Sequence, residues 1–469
     1  MQISPAPTPT DAHTQLLLLP TDSEEYADFL DAGQSLRLTD RPRTFVVRLP
    51  KDPTAGKVRE QAHKFGHDNG KHFTTTVDLS AEGVEAEWIA EFVAGLELGN
   101  YRSSTLRSDH ELSPFQQEDA RLHLVNLPDS ATRLCTRARA LSHVQNRIRA
   151  LVDTPANRKR PQDLVAFARD SAKRYGYSCT VLDKEQCRIE GLHALLAVNR
   201  GSEDPAQFII LEYAGAGAGA EAGDKIGEGP IAIIGKGVTF DTGGVSIKGS
   251  QNLHLMKSDM GGAAATFGAV EAAARLELPV HLIGIVPATD NSVDALSIKP
   301  SDVIESHAGK TIEIIDTDAE GRLIMADGLS YACKHYAPRV LMNIATLTGS
   351  AVRTFGYVCA ATLSQNDELI EQFRTAGEAC GERVWPLPAW DDFAKGLESD
   401  VADTKNFSGT PLHGATDAFK FLEQFTHEHP RYIHFDIAGV ALKAGPFSKD
   451  RQATGFGVRL LTEWLERYG

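Results

Sequence analysis

The groups able to do chemistry crowd into two short stretches of the chain. The first runs Lys236-Gly-Val-Thr-Phe-Asp241-Thr-Gly-Gly-Val-Ser-Ile-Lys248, with Asp259 following in Lys257-Ser-Asp-Met-Gly-Gly; the second runs Asp316-Thr-Asp318-Ala-Glu320-Gly-Arg322-Leu. Together they place five carboxylates beside Lys236, Lys248 and Arg322. Hard divalent cations take oxygen ligands, and two of them a few ångström apart activate water and polarise a carbonyl. The chemistry indicated is metal-assisted hydrolysis. Each group also has an ordinary reading. Asp318, Glu320 and Arg322 could form a charged loop, Asp259 an acid favoured by a helix N-terminus, and the lysines solvated surface groups. Asp241 resists that reading, because it sits among Gly235, Gly237, Gly243 and Gly244 at the mouth of an apolar strand. A lysine amine beside a dication can lose its proton and coordinate, which gives Lys236 a place in such a centre. In extended backbone, side chains two apart point the same way, so Asp318, Glu320 and Arg322 are expected to aim into one cavity.

The elements that must position these groups read as an α/β layered domain. Strands are expected at 179–182, 208–213, 230–234, 280–286, 311–315, 340–344 and 432–437, and helices at 164–175 and 260–276. The strand at 230–234 ends at Gly235-Lys236, so the first stretch leaves a strand end, where open sheets covered by helices on both faces bind ligands. A helix at 137–153 reads as an interdomain connector. Before it, strands at 43–49 and 121–125 and a helix at 85–99 form a smaller α/β region with no chemical constellation. Residues 1–12, rich in Pro and Thr, read as loosely packed. The resulting organisation is an N-terminal α/β domain over 1–136, a connecting helix and linker over 137–157, and a catalytic domain over 158–469 with a mixed sheet flanked by helices. The glycine-rich run 214–228 reads as a flexible hairpin turn.

Composition excludes several classes. The 469 residues are 42% hydrophobic and 24% charged, ordinary for a globular protein of two domains. A net charge of −15 repels phosphate backbones, which argues against nucleic acid as a partner. The six cysteines show no C-x-x-C spacing and read as buried, reduced thiols, pointing with the lack of a membrane span or leader to the cytoplasm. The sixteen histidines show no ligand spacing and no H-E-x-x-H, so carboxylates are expected to hold any metal.

With these motifs in view, the chain resembles the leucine aminopeptidase (cytosol aminopeptidase) family of two-metal exopeptidases. The likeness covers roughly residues 137–469 and extends to Ala345-Thr-Leu-Thr-Gly349, Asp436-Ile-Ala-Gly439 and Ala453-Thr-Gly-Phe-Gly457. It implies one metal held by Lys236, Asp241, Asp259 and Glu320, a second held by Asp241, Asp318 and Glu320, and a water bridging the two. It implies that the ions are zinc, manganese, magnesium or cobalt, with manganese or zinc foremost. Lys248 would stabilise the oxyanion, and Arg322 would hold a bicarbonate acting as general base. Met256, Thr346, Leu347 and Gly349, with Lys248, would bind substrate, a peptide with a free N-terminus. A homohexamer is implied; the N-terminal domain, which carries no chemical constellation, is expected to serve assembly.

Two departures stand out. Asp316 replaces the family's usual Asn, and the segment 409–417 is more polar than the family pattern. The rival readings are another two-metal hydrolase, such as a phosphoesterase, and a secondary DNA-binding or structural role.

Overall fold

The computed structural model describes residues 1–40, 42–103, 106–108, 112–117, 119–216, 229–445, 448 and 450–469. The chain divides into two compact units, Met1–Arg147 and Ile148–Gly469. No helix among the described residues is long and apolar enough to cross a membrane.

The first unit is built on a six-stranded sheet in the order Gln2–Ala6, Arg121–Val125, Thr76–Ser80, Thr14–Leu19, Arg43–Arg48, Ser35–Asp40. All pairings are parallel except the last. Helices Ala55–Asn69 and Ala86–Gly99 pack on each other, and Phe45, Phe65, Phe73 and Phe92 interlock in its core. The expectation of a loosely packed N-terminus is corrected: Gln2–Ala6 is a strand in register with Arg121–Val125. Pro5 is tolerated because this strand lies at the sheet edge, where a missing N–H interrupts no ladder. The connecting helix runs Asp129–Asp153, eight residues longer at its N-terminal end than expected, with Asp129 complementing the helix dipole.

The second unit holds a nine-stranded mixed sheet. Its centre is four mutually parallel strands in the order Tyr432–Asp436, Pro338–Ala345, Gly229–Gly235, His281–Asn291. Antiparallel strands lie outside them, Ala360–Leu363 on one side and Gln207–Ala214 on the other. Successive side chains of a strand point to opposite faces, and both faces are covered. Ile283 and Ile285 join the core containing Leu323, Ile324 and Leu329 of helix Glu320–Tyr336. Gly284, between them, lies against Thr266 and Val270 of helix Gly261–Arg275. The strand His281–Asn291 extends five residues past the expected 286, through Pro287, which is paired with Phe208. The run 214–228 falls largely outside the described residues. Its flanking strands Gln207–Ala214 and Gly229–Gly235 are separated by His281–Asn291, so it does not close a hairpin, because hairpin strands must be neighbours.

Candidate metal centre

The C-terminal ends of the four parallel strands lie along one edge of the sheet, and the predicted chemistry gathers there. Lys236 follows the last residue of Gly229–Gly235, and Thr346 follows Pro338–Ala345. Asp241 ends the short strand Gly237–Asp241, in register with Asn291 at the end of its own strand. Asp259 closes the 3-10 turn Leu253–Ser258, just before helix Gly261–Arg275.

The arrangement of the second stretch differs from the expected alternation. Glu320 is the first residue of helix Glu320–Tyr336 and Arg322 lies in its first turn, whereas Asp318 lies in the turn before it. The apolar run from Leu323 onward supplies a buried helical face that overrides extended backbone. A carboxylate at the first helical position is also favoured by the dipole. Gly321 is required by close approach: a Cβ there would lie 2.5 Å from Lys236 Cε and 2.7 Å from its Nζ.

One oxygen from each of Asp241, Asp259 and Glu320 lies within 4.8 Å of the others, and all three residues are buried. Lys236 Nζ stands 2.7 Å from Asp259 Oδ2, 2.9 Å from Glu320 Oε1 and 3.3 Å from the Thr346 carbonyl to which it donates. Lys248 Nζ stands 2.8 Å from Asp241 Oδ2 and also pairs with Asp318. The two lysines differ in access, the Lys236 side chain being 4% exposed and that of Lys248 24%. Met256, Thr346 and Leu347 are half-buried and Gly349 is exposed.

Hydrogen bonds hold this geometry, some of them from residues, such as Asn291 and Lys159, that sequence reasoning passed over. Thr346 Oγ1 donates to Asp259 Oδ1 at 2.8 Å. Asn291 Nδ2 donates to Asp241 Oδ1 and to the Thr317 carbonyl, at 2.8 and 3.1 Å. Thr317 Oγ1 donates to the Gly243 carbonyl and accepts from Ser246 N, both at 2.8 Å, which stitches the two chemical stretches together. Gly243, at φ +88°, has no room for a side chain between Ser246 O and Asp318 Oδ1. Asp436 receives Thr348 Oγ1 at 2.6 Å and Leu347 N at 3.2 Å, fixing the segment 346–349. Lys159, buried, donates to the Val152 and Lys257 carbonyls at 2.7 and 2.6 Å and so anchors the turn ahead of Asp259. The Asp316 carboxylate accepts the Asp318 N–H at 2.9 Å, a local turn that an Asn oxygen would serve equally.

Arg322 is buried and its Nη1 is held by Asp417 Oδ2 at 2.7 Å and the Asn406 carbonyl at 2.8 Å, while its Nε has no hydrogen-bond partner. Asp417, within the departing segment 409–417, is therefore an internal counter-charge for Arg322.

The electrostatics favour added positive charge. Four carboxylates, Asp241, Asp259, Asp318 and Glu320, face two ammonium groups. Burial raises the Asp259, Glu320 and Asp318 carboxyls, and their mutual repulsion with Asp241 adds to it; Asp318 is pushed up to about 7. Burial alone would lower Lys236 and Lys248, but the surrounding carboxylates outweigh it and hold both well above the ordinary lysine value. Ion pairs aside, Asp259 Oδ2, Asp318 Oδ1 and both Glu320 oxygens are buried without a hydrogen bond. A buried, under-satisfied, all-carboxylate donor set with excess negative charge fits hard or borderline divalent ions.

A parallel-centred α/β sheet with such a centre at its strand ends defines a metallohydrolase architecture, and comparison with known proteins gives the family. Residues 146–462 match the catalytic domain of the cytosol aminopeptidase family, and the chain belongs to that family of metal-dependent aminopeptidases. It is 41% identical over 397 residues to a probable cytosol aminopeptidase of Chlorobium limicola, covering 83% of this chain and 77% of that one. It is 38% identical over 457 residues to that of Chloroherpeton thalassium, covering 92% and 85%. Among solved structures it is similar to the bottromycin maturation enzyme BotP in complex with Mn, with a TM-score of 0.84, 29% identity, and 97% and 99% of the two chains covered.

Proposed function

We propose that this protein releases the N-terminal residue of peptides with a free α-amine, using two divalent ions, manganese or zinc, held by Lys236, Asp241, Asp259, Asp318 and Glu320. The observation that carries this reading is the convergence of three buried carboxylates and the Lys236 amine at the strand ends. When bound, the ions supply Lewis-acid polarisation of the scissile carbonyl and activation of water. Asp241 and Glu320, the two carboxylates whose charge acts on both lysines, would be shared between the ions, and Asp318 would serve one of them. Lys236, enclosed by carboxylates, would hold an ion through its amine, the ion's charge favouring the neutral form of that group. Lys248, the more accessible amine, keeps its proton and stabilises negative charge developing on the substrate carbonyl oxygen. Met256, Thr346, Leu347 and Gly349 would contact the N-terminal side chain of the substrate.

Arg322 Nε, buried and without a protein partner, is the group on which a bicarbonate general base would rest. Asp417 shares the same guanidinium and weakens its hold on any anion. The assembly is a homohexamer built through the N-terminal unit, and the compartment is the cytoplasm, in keeping with cysteines that show no C-x-x-C spacing.

The decisive experiment is Glu320→Ala. It should abolish release of amino acids from aminoacyl amides, by about 10³-fold or more through lost transition-state stabilisation, and lower metal content by mass spectrometry. Retained turnover with full metal occupancy would refute the assignment. Hydrolysis of N-terminally blocked peptides as fast as free ones would favour a different hydrolase.

A further inference from the structure

A second group of metal-ligating side chains lies at the other end of the helix that carries Glu320. Glu190 ends helix Lys184–Glu190, His307 follows strand Val303–Glu305, and His335 is in the last turn of Glu320–Tyr336. One ligand atom of each lies within 4.8 Å of the others. Fifteen residues of helical rise separate His335 from Glu320, about 22 Å, so this group is no part of the centre described above. Glu190 Oε1 stands 2.7 Å from His335 Nε2 and 3.7 Å from His307 Nε2. Donor atoms of a tetrahedral zinc with bonds near 2.05 Å lie about 3.3 Å apart, and the two observed separations straddle that value.

The buried histidine is what an ordinary surface ion pair leaves unexplained. The His307 side chain is 1% exposed, and its Nε2 faces the cluster with no hydrogen-bond partner. Its Nδ1 is 2.9 Å from Ser330 Oγ, which is also 3.1 Å from His427 Nε2. A serine hydroxyl has one proton. When Ser330 donates it to His427, His307 donates Nδ1–H to Ser330, and the Nε2 lone pair is left free toward Glu190. When Ser330 donates to His307 instead, the Nε2–H points at Glu190 over 3.7 Å, too far to bond. In the first arrangement His307 has a metal ligand's tautomer, set by the hydrogen bond of its other nitrogen. Tyr331 stacks on the His335 ring at 4.1 Å and fixes its plane. Lys334 Nζ, 3.9 Å from Glu190, belongs to a 57% exposed side chain with room to swing away.

We propose that Glu190, His307 and His335 bind one borderline divalent ion of the zinc class. Two imidazoles and one carboxylate select this class, whereas the carboxylate-rich centre accepts harder ions. The bound ion ties the C-terminal end of helix Glu320–Tyr336 to helix Lys184–Glu190 and to the 303–307 segment.

The test is titration of the metal-stripped full-length protein with Zn2+ by equilibrium dialysis, and with Co2+ by visible absorption. Wild type should bind one equivalent more than His335→Ala and show a Co2+ band that His335→Ala and Glu190→Gln lose. Asp259→Asn, altered only in the other centre, should keep that band, which separates failure here from failure of the aminopeptidase reading. Since His335 is partly exposed, His335→Ala should melt with wild type in chelator and keep its peptidase activity with Mn2+. Unchanged Zn2+ stoichiometry and Co2+ spectrum in folded His335→Ala would overturn the proposal.

Discussion

Lys236 and Lys248 are chemically alike and sit within reach of the same carboxylate cluster, yet their surroundings separate them. Lys236 is closed in by Asp259, Glu320, the Thr346 carbonyl and Gly321, so any change there acts on the proposed metal ligands. Lys248 is a quarter exposed and can meet substrate. Lys248→Met should therefore lower kcat about 10²- to 10³-fold, the usual loss for one oxyanion donor, with metal content unchanged; steady-state kinetics beside metal analysis checks this. Lys236→Met should instead lose metal. The Arg322–Asp417 pair makes a separate prediction. Removing one partner of a buried ion pair leaves the other charge uncompensated, at a cost of roughly 3–5 kcal/mol. Asp417→Ala and Arg322→Ala should each lower the melting temperature sharply, and the double variant should lose less than the sum. Additive losses in calorimetry would show that the pair is not coupled.

Positioning comes from elements that meet across large sequence separations. The lysine at a strand end, the glycine-framed Asp241 and the Asp-x-Glu-x-Arg run were legible because their chemistry is local in the chain. Asn291, Thr317, Asn406 and Lys159 were not, since each works through a partner 26 to 98 positions away, which leaves no local pattern. Pro287 hid the reach of its strand, and with it Asn291. The start of helix Glu320–Tyr336 was masked by Gly321 and flanking charges that read as loop; the space that Lys236 needs accounts for the glycine. His307 and His335 escaped for the same reason as Asn291, being joined to Glu190 only by folding. These supports are expected to act through the metal. Thr346→Val removes the hydrogen bond to Asp259 and should weaken metal binding about 10- to 100-fold, as loss of an outer-shell partner does. Gly321→Ala should have a larger effect, because its methyl would displace the Lys236 side chain. Titration of stripped protein with Mn2+ distinguishes the two, and equal affinity to wild type in Gly321→Ala would contradict the packing argument.

At the scale of the whole chain, every residue given a chemical role in the proposal above lies in Ile148–Gly469. The unit Met1–Arg147 has its own sheet, its own aromatic core and no comparable acid cluster among its described residues. A unit that supplies none of the proposed ligands or lining residues needs another role, and assembly is the one proposed above. The place to cut is set by the helix Asp129–Asp153, which serves both units. Ala131, Cys135 and Ala138 belong to the N-terminal core, whereas Arg149 Nε donates to the Ala453 carbonyl and Asp153 Oδ1 accepts Ala453 N–H in the second unit. Removing residues 1–138 therefore takes away the N-terminal core as a whole and leaves the helix end that docks on the catalytic unit. The shortened chain should still bind Mn2+ at the carboxylate centre, because none of the proposed ligands or their supports is lost. It should sediment as a smaller species than the full-length protein. Analytical ultracentrifugation of the two, each loaded with Mn2+, decides the matter: a truncated chain that binds metal and assembles to the same number of subunits would remove assembly from the N-terminal unit.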